Sequence, residues 1–216
     1  MPFLVALLIA ASVSGGTAFA AEGAVPGDLL YTVKTEVNEN VRGALARDAE
    51  AKVEFEAWRA ERRLDETQRL AIRAELSDEV RTRLAANFDE HADRVHARIE
   101  MIEETDPELA AELATKFEAA LTAHEAILAG LNASTTNEVR IRVKTNIDDL
   151  AKFRSESSLT VFDADHARST PSRKAAAEHM RTAAEETLTR VRDAYARVES
   201  GLDAETKTRV EVEIEK

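Results

Sequence analysis

The stretch that decides the fold runs from Asp78 to Leu131 and reads DEVRTRLAANFDEHADRVHARIEMIEETDPELAAELATKFEAALTAHEAILAGL. Its large apolar residues recur in steps of three and four, which is the spacing of one face of an α-helix. In the middle, Thr105 and Asp106 offer capping side chains, and Pro107 suits the first turn of a new helix. The stretch therefore predicts two antiparallel helices joined by a tight turn.

Caps and breakers on both sides of this hairpin predict further helices. They are expected at about Leu29 to Arg47 with Asp28 as the cap, Asp48 to Leu76, Asn137 to Ser169 after a polar loop from Gly130 to Thr136, and Ser172 to Glu199. After Gly201 we expect a frayed or truncated helix. The alternation from Val210 to Lys216 is also compatible with a strand, but an isolated terminal strand has no pairing partner.

The composition agrees with a helical chain, since 44% of the 216 residues are hydrophobic, 32% are charged, and only seven are glycine and four proline. We predict an all-α protein, an elongated multi-helix bundle of antiparallel helical hairpins. Residues 1–20 are expected to be a signal peptide, 21–133 an N-terminal unit of about four helices, and 134–216 a C-terminal unit whose end is open to truncation. The segment Leu76 to Leu84 echoes Leu202 to Val210, which suggests an internal duplication.

Charge and cysteine content exclude several classes of function. Lysine and arginine total 29 against 41 aspartate and glutamate, a net charge of −12, so nucleic acid is not expected as a partner. The absence of cysteine excludes disulfides and thiolate metal sites. No phosphate loop, nucleophile elbow or zinc-protease motif is present. We therefore expect neither an enzyme nor a bound cofactor.

The first residues have the pattern of an export signal. An apolar run from Phe3 to Val13 is followed by Ala18-Phe19-Ala20, which places small residues before a cleavage point after Ala20. The stretch through Ala21 carries no charge and is just long enough to span a bilayer, so an uncleaved anchor is the alternative. Either interpretation predicts a periplasmic, extracellular or cell-surface protein of bacterial origin, with membrane contact only through this segment.

Two short motifs follow the predicted signal: AVPGDLLYTVKT at residues 24–35 and AERRLDE at residues 60–66. They resemble the family of domain of unknown function 5667, exported or membrane-tethered bacterial proteins with an LPGD-x-LY-x-x-K turn after the signal peptide. The resemblance spans about Glu22 to Leu76, with Val25 in place of the usual leucine, and it implies a helical fold and an exported location but no activity. The motif residues, which we interpret as structural, are Pro26, Gly27, Asp28, Tyr31, Lys34, Leu64, Asp65 and Glu66. Lys34 is expected to pair with a carboxylate such as Asp65 or Glu66.

Two histidines lie on the apolar stripes of the central hairpin. Folding the hairpin about its turn is expected to place His124 opposite Asn87, one turn from His91, as a polar layer in the seam. Two histidines without a nearby carboxylate make a poor metal site, so His91 and His124 are only weak metal candidates and no metal is predicted. Hydrogen bonding that sets the helix register is the favoured interpretation, and a pH-sensitive or metal-binding seam is the alternative.

These observations leave three classes of function. The first is a non-enzymatic module of the bacterial cell envelope that contacts an unidentified protein or envelope component through its charged faces. The second is an envelope stress sensor, a holdase-like protein or a weak metal-binding helical hairpin. The third, favoured least, is a hydrolase with dispersed carboxylates. Neither the partner nor the oligomeric state can be predicted from the sequence.

Overall fold

A computed structural model of the protein describes residues 20–165 and 198–214 together with five positions between 189 and 196; side chains are not described for 157–165 and 213–214. Every regular element in the part of the chain so described is a helix, which confirms the all-α prediction. Residues up to Asp48 form one compact unit and those from Ala49 onward form another. This division differs from the predicted boundary at 133/134, and the expected signal segment before Ala20 lies outside the described residues.

The first unit contains one helical segment in two parts. Residues Val33–Asn38 form a π-helix, and α1 (Glu39–Leu45) continues it. The predicted start at Leu29 with Asp28 as a cap is wrong. The Asp28 carboxylate accepts a hydrogen bond from the Val25 backbone N–H at 2.8 Å and so closes the preceding turn instead.

In the described part of the second unit we number five helices: α2 (Ala49–Ile72), α3 (Asp78–Glu103), α4 (Pro107–Gly130), α5 (Ala133–Asp165) and α6 (Ala204–Ile214). Helix α5 begins four residues before the predicted Asn137, because the Asn132 side chain accepts a hydrogen bond from the Ser134 N–H at 3.0 Å and caps the first turn. The strand alternative after Val210 is wrong as far as residue 214. Most of the predicted helix from Ser172 to Glu199 lies outside the described residues.

The central hairpin forms as predicted. Asp106 caps α4 by accepting a hydrogen bond from the Leu109 N–H at 3.1 Å, and Pro107 is the first residue of that helix. Helix α3 packs on α2, α4 and α5, and α4 packs on α2, α5 and α6. Helices α4 and α5, which flank the predicted boundary, pack on each other. The largest side chains in the core are Phe88, Phe117, Leu64, Leu84, Ile99, Leu121, Ile127, Leu128 and Leu150.

The two segments that echo each other in the sequence also share a local structure. Ser77 caps α3 by accepting from the Val80 N–H at 3.3 Å, and Asp203 caps α6 by accepting from the Thr206 N–H at 2.8 Å. Many helices begin with a side chain that accepts a hydrogen bond from the amide three residues later, so this likeness does not require a duplication. The duplication therefore stays a prediction.

The end of α2 contains an alanine in a left-handed conformation. Ala74 has φ +56°, and the Glu75 N–H donates to the Leu70 carbonyl at 2.9 Å, as in the common helix-ending motif that favours glycine.

We expect Ala74→Gly to raise the free energy of unfolding by about 0.5–1 kcal/mol, because glycine adopts this conformation without steric cost. The matched control is Ala86→Gly, at an exposed site inside α3, which should lower it by about 1 kcal/mol. Urea denaturation of both variants measures the difference. Equal destabilisation by the two changes would contradict the left-handed conformation at Ala74.

Candidate functional site

The first family motif builds a closed turn at the start of the described chain. Pro26 and Gly27 are the central residues, Gly27 has φ +107°, and the Asp28 N–H donates to the Val25 carbonyl at 2.9 Å. A turn of this type requires a positive φ at its third residue, which explains the glycine. The Asp28 carboxylate bonds back to Val25 and fixes the turn from the other side.

Lys34 connects this turn to the helix that follows it. Its ammonium group donates to the Ala24 carbonyl at 2.9 Å and lies 5.6 Å from the centre of the Tyr31 ring. The side chain is only 2% exposed. The turn, Tyr31 and Lys34 are thus bound to one another, which is what a structural role of the motif requires. The carbonyl partner was not expected, since the sequence suggested a carboxylate.

The second motif lies in the most enclosed part of α2. Six consecutive residues, 63–68, are buried, so all sides of the helix are covered there. Five of the six are polar, and Arg63 and Glu66 form an ion pair at 3.4 Å. The motif residues Leu64, Asp65 and Glu66 are 0%, 6% and 1% exposed. Such burial fits the interpretation that they are structural.

His91 is bound to a carboxylate that the sequence analysis did not connect with it. Its Nδ1 lies 2.8 Å from Oε2 of Glu56 on α2, and both residues are almost fully buried. Arg94 contributes a second, longer contact at 3.8 Å to the other oxygen of Glu56. Burial by itself raises the pKa of Glu56, but the hydrogen bond to His91 and the positive charges of His91, Arg94 and Arg59 outweigh it and hold that pKa below its usual value.

His124 also has its described partner on α2. The Gln68 side-chain N–H₂ lies 3.0 Å from the His124 Nδ1 and donates to the His124 carbonyl at 3.2 Å. Both side chains are completely or almost completely buried. The expected layer joined His124 to Asn87 within the hairpin, whereas in the structure each histidine joins a different residue of α2. Glu56 and Gln68 are about 18 Å apart along α2, so the two histidines make separate polar contacts and do not form the single layer that was expected.

An open groove of about 600 Å³ lies between α3 and α5. The His96 Nε2 lies 3.1 Å from the Asn146 side-chain oxygen, and Arg142 forms an ion pair with Asp89 across it. Burial, together with the negative charges of Asp93 and Glu138, raises the pKa of Asp89 above its usual value despite the opposing effect of Arg142. Although acidic residues line much of this groove, no three acidic or histidine side chains converge on a metal position anywhere in the described part of the chain.

Apolar side chains on the helical segment of the first unit, and at Leu29 in the turn before it, point to solvent. The exposed fractions are 99% for Leu29, 51% for Val37, 59% for Val41 and 68% for Leu45, and Val33 is half-buried. These five residues, which we call the apolar ladder, follow one another in steps of four. On the same segment the charged Lys34 and Glu39 are buried, at 2% and 1% exposure. The usual arrangement of a surface helix is thus reversed.

The apolar ladder was not recognised from the sequence, although its spacing is visible there. An apolar residue at every fourth position predicts an apolar face, but the same pattern occurs on helices whose face is buried in the core. The burial of Lys34 and Glu39 distinguishes the two cases, and it becomes known only from the fold. A contiguous exposed apolar surface marks an interaction site more often than scattered apolar residues do.

These features define a helical protein whose buried histidines contact polar residues of α2 and whose first unit presents an apolar surface. Residues 23–95 match the model of a family described as domain of unknown function 5667. The resemblance predicted from the motifs is confirmed, and the match continues past Leu76 through most of α3. No curated protein and no solved structure matches the chain. Of the helices described, none is long and apolar enough to cross a membrane.

Proposed function

We propose that this protein is a non-enzymatic, exported module of the bacterial cell envelope that contacts another envelope component. The observation that carries the proposal is the apolar ladder, which leaves Leu29, Val37, Val41 and Leu45 at least half exposed while nearby charged residues are buried. Exposing apolar side chains costs stability in water, so the arrangement fits a surface that is covered in the working protein.

Three further features support this function. The uncharged N-terminal segment with small residues before Ala21 is typical of export. The histidines that could have formed a chemical site are instead bound to Glu56 and Gln68 inside the fold. Many charged residues that the sequence suggested on outward faces form ion pairs between helices. Arg140 pairs with Glu125, and Arg154 pairs with Glu118. The ladder is therefore a better candidate for the contact surface than the charged faces.

The test is photo-crosslinking in intact cells. The full chain, given a basic N-terminal extension, is produced in a secreting bacterial host with p-benzoylphenylalanine at Val41 or, as a matched control, at Val212. Val212 is also apolar and 50% exposed but lies on α6. We expect adducts from position 41 in the envelope fraction and few from position 212, because only the ladder is proposed to be covered.

Two results would contradict the proposed function. Equal adduct yields at positions 41 and 212 would show that the ladder is not a contact surface. Retention of the chain in the cytoplasm would show that the protein is not exported.

A further inference from the structure

We infer that the apolar ladder docks on the surface of a lipid bilayer. This inference rests on the proposed function, because it takes the ladder as the contact surface and names what covers it. Four properties of the segment favour lipid: the alignment of the ladder, its distance from the N-terminal apolar segment, its local charge and its area.

The π-helical turn keeps the ladder on one face. In an α-helix each step of four residues advances about 40° beyond a full turn, so a period-four pattern drifts around the helix. A π-helix is closed by bonds from i to i+5 and winds more loosely, so the same step falls short of a full turn. The segment is π-helical at Val33–Asn38 and α-helical at Glu39–Leu45, so the two drifts have opposite signs. Val33, Val37, Val41 and Leu45 therefore stay on one face of the segment.

The ladder begins close to the segment that would bring the chain to a membrane. Residues 1–21 carry no charge, and Leu29 follows Ala21 by eight residues. Eight residues of chain span at most about 26 Å. During export, and permanently if the segment stays as an anchor, the ladder is therefore held within reach of the bilayer surface. An apolar contact between the ladder and the bilayer would strengthen the weak membrane attachment that a single apolar segment gives.

The charge of the segment suits a neutral lipid surface. Between Val33 and Leu45 the charged residues are Lys34, Glu36, Glu39 and Arg42, and only Glu36 and Arg42 are exposed. Their charges cancel. The net charge of −12 over the whole chain disfavours an anionic surface, but it is not concentrated on this face.

The area of the ladder is too small for a stable dimer. A valine or leucine side chain offers about 100 Å² of apolar surface when fully exposed, so five of them supply at most about 500 Å². A stable protein interface buries about 800 Å² on each partner. A second copy seated on the ladder alone would fall short of this value, whereas a membrane surface sets no minimum area and the tether lowers the entropic cost of docking.

Fluorescence quenching in vesicles tests the inference. The sequence contains no cysteine, so single-cysteine variants of the full chain can carry a fluorophore at V41C, N40C or V212C without a background signal. The proteins are reconstituted in phosphatidylcholine vesicles that contain nitroxide-labelled lipid. We expect about threefold stronger quenching at V41C than at V212C, with N40C in between, because a docked apolar face lies about 5–10 Å into the headgroup and acyl boundary. Adding Val33→Ser and Val37→Ser to V41C should abolish the excess, with an unchanged circular dichroism spectrum.

Each outcome decides between lipid and its alternatives. Equal quenching at V41C and V212C overturns the inference, and so does equal quenching at V41C and N40C, since the docking face would then not be the ladder. Oxidative crosslinking between two copies of V41C that rises with protein density, without excess quenching, would assign the ladder to a second copy. That result would overturn lipid docking but leave the proposed function standing. The proposed function fails separately, through the crosslinking result in cells.

Discussion

Gly130→Ala is expected to lower the free energy of unfolding by about 3 kcal/mol. A Cβ added at Gly130 would lie 2.2 Å from the Val210 Cγ2 and 2.9 Å from the Val210 Cα. Because one of these atoms belongs to the backbone, a rotamer change cannot relieve the clash. Helix α6 would have to move away from α4, which exposes apolar surface on both. Urea denaturation of the full chain measures the loss.

Gly23→Ala is the matched control, since a Cβ there has no neighbour within 4 Å. It should change the free energy of unfolding by less than about 0.5 kcal/mol. Adding Val210→Ala to Gly130→Ala should restore stability only in part, because the contact with the Val210 Cα remains. An unchanged denaturation midpoint for Gly130→Ala would contradict the packing of α6 against the end of α4.

His91→Leu is expected to lower the free energy of unfolding by about 2–3 kcal/mol, because it leaves the Glu56 carboxylate buried without its 2.8 Å hydrogen bond. Arg94 remains 3.8 Å away and limits the loss. The double variant Glu56→Leu/His91→Leu should lose less than His91→Leu alone, since no uncompensated charge stays inside the protein. Thermal and urea denaturation of the two variants and the wild type give the comparison.

The same pair predicts a dependence on pH. The pKa of Glu56 is lowered from its ordinary value of 4.5. A lowered carboxyl pKa means that the ionised side chain adds stability above its pKa in the unfolded chain and loses it as the pH falls through the folded value. The stability difference between wild type and Glu56→Gln should therefore be present at neutral pH and shrink below about pH 4.5. A stability difference between wild type and Glu56→Gln that grows as the pH falls would contradict this prediction.

Much of the fold could be predicted because its determinants are local. The apolar stripes of α3 and α4 and the Asp106 cap each depend on residues within a few positions of one another, and the structure has them where the pattern placed them. The Asn132 cap was missed because asparagine, serine and threonine are typical of loops as well as of helix starts. The π-helical turn gives no distinct local signal at all.

The partners of the polar residues could not be predicted for a different reason. His91 and His124 were recognised as polar positions on apolar faces, but Glu56 and Gln68 lie on a third helix whose register depends on the whole packing. The partner of Lys34 could not be predicted either, since a backbone carbonyl ten residues earlier in the chain has no sequence signature. Residue type indicates that a buried polar group needs a partner, but only the fold identifies that partner.

The π-helical turn also limits which changes of chain length this segment can accept. A turn closed by bonds from i to i+5 contains one more residue than the α-helical turn it replaces. Deleting one residue between Val33 and Asn38 would therefore let regular α-helix replace the turn with little change in the direction of the flanking residues. The same deletion inside Glu39–Leu45, where the helix has no extra residue, would rotate the parts on either side by about 100° relative to each other and divide the apolar face. The segment therefore tolerates the loss of a residue at the π-helical turn but not after it.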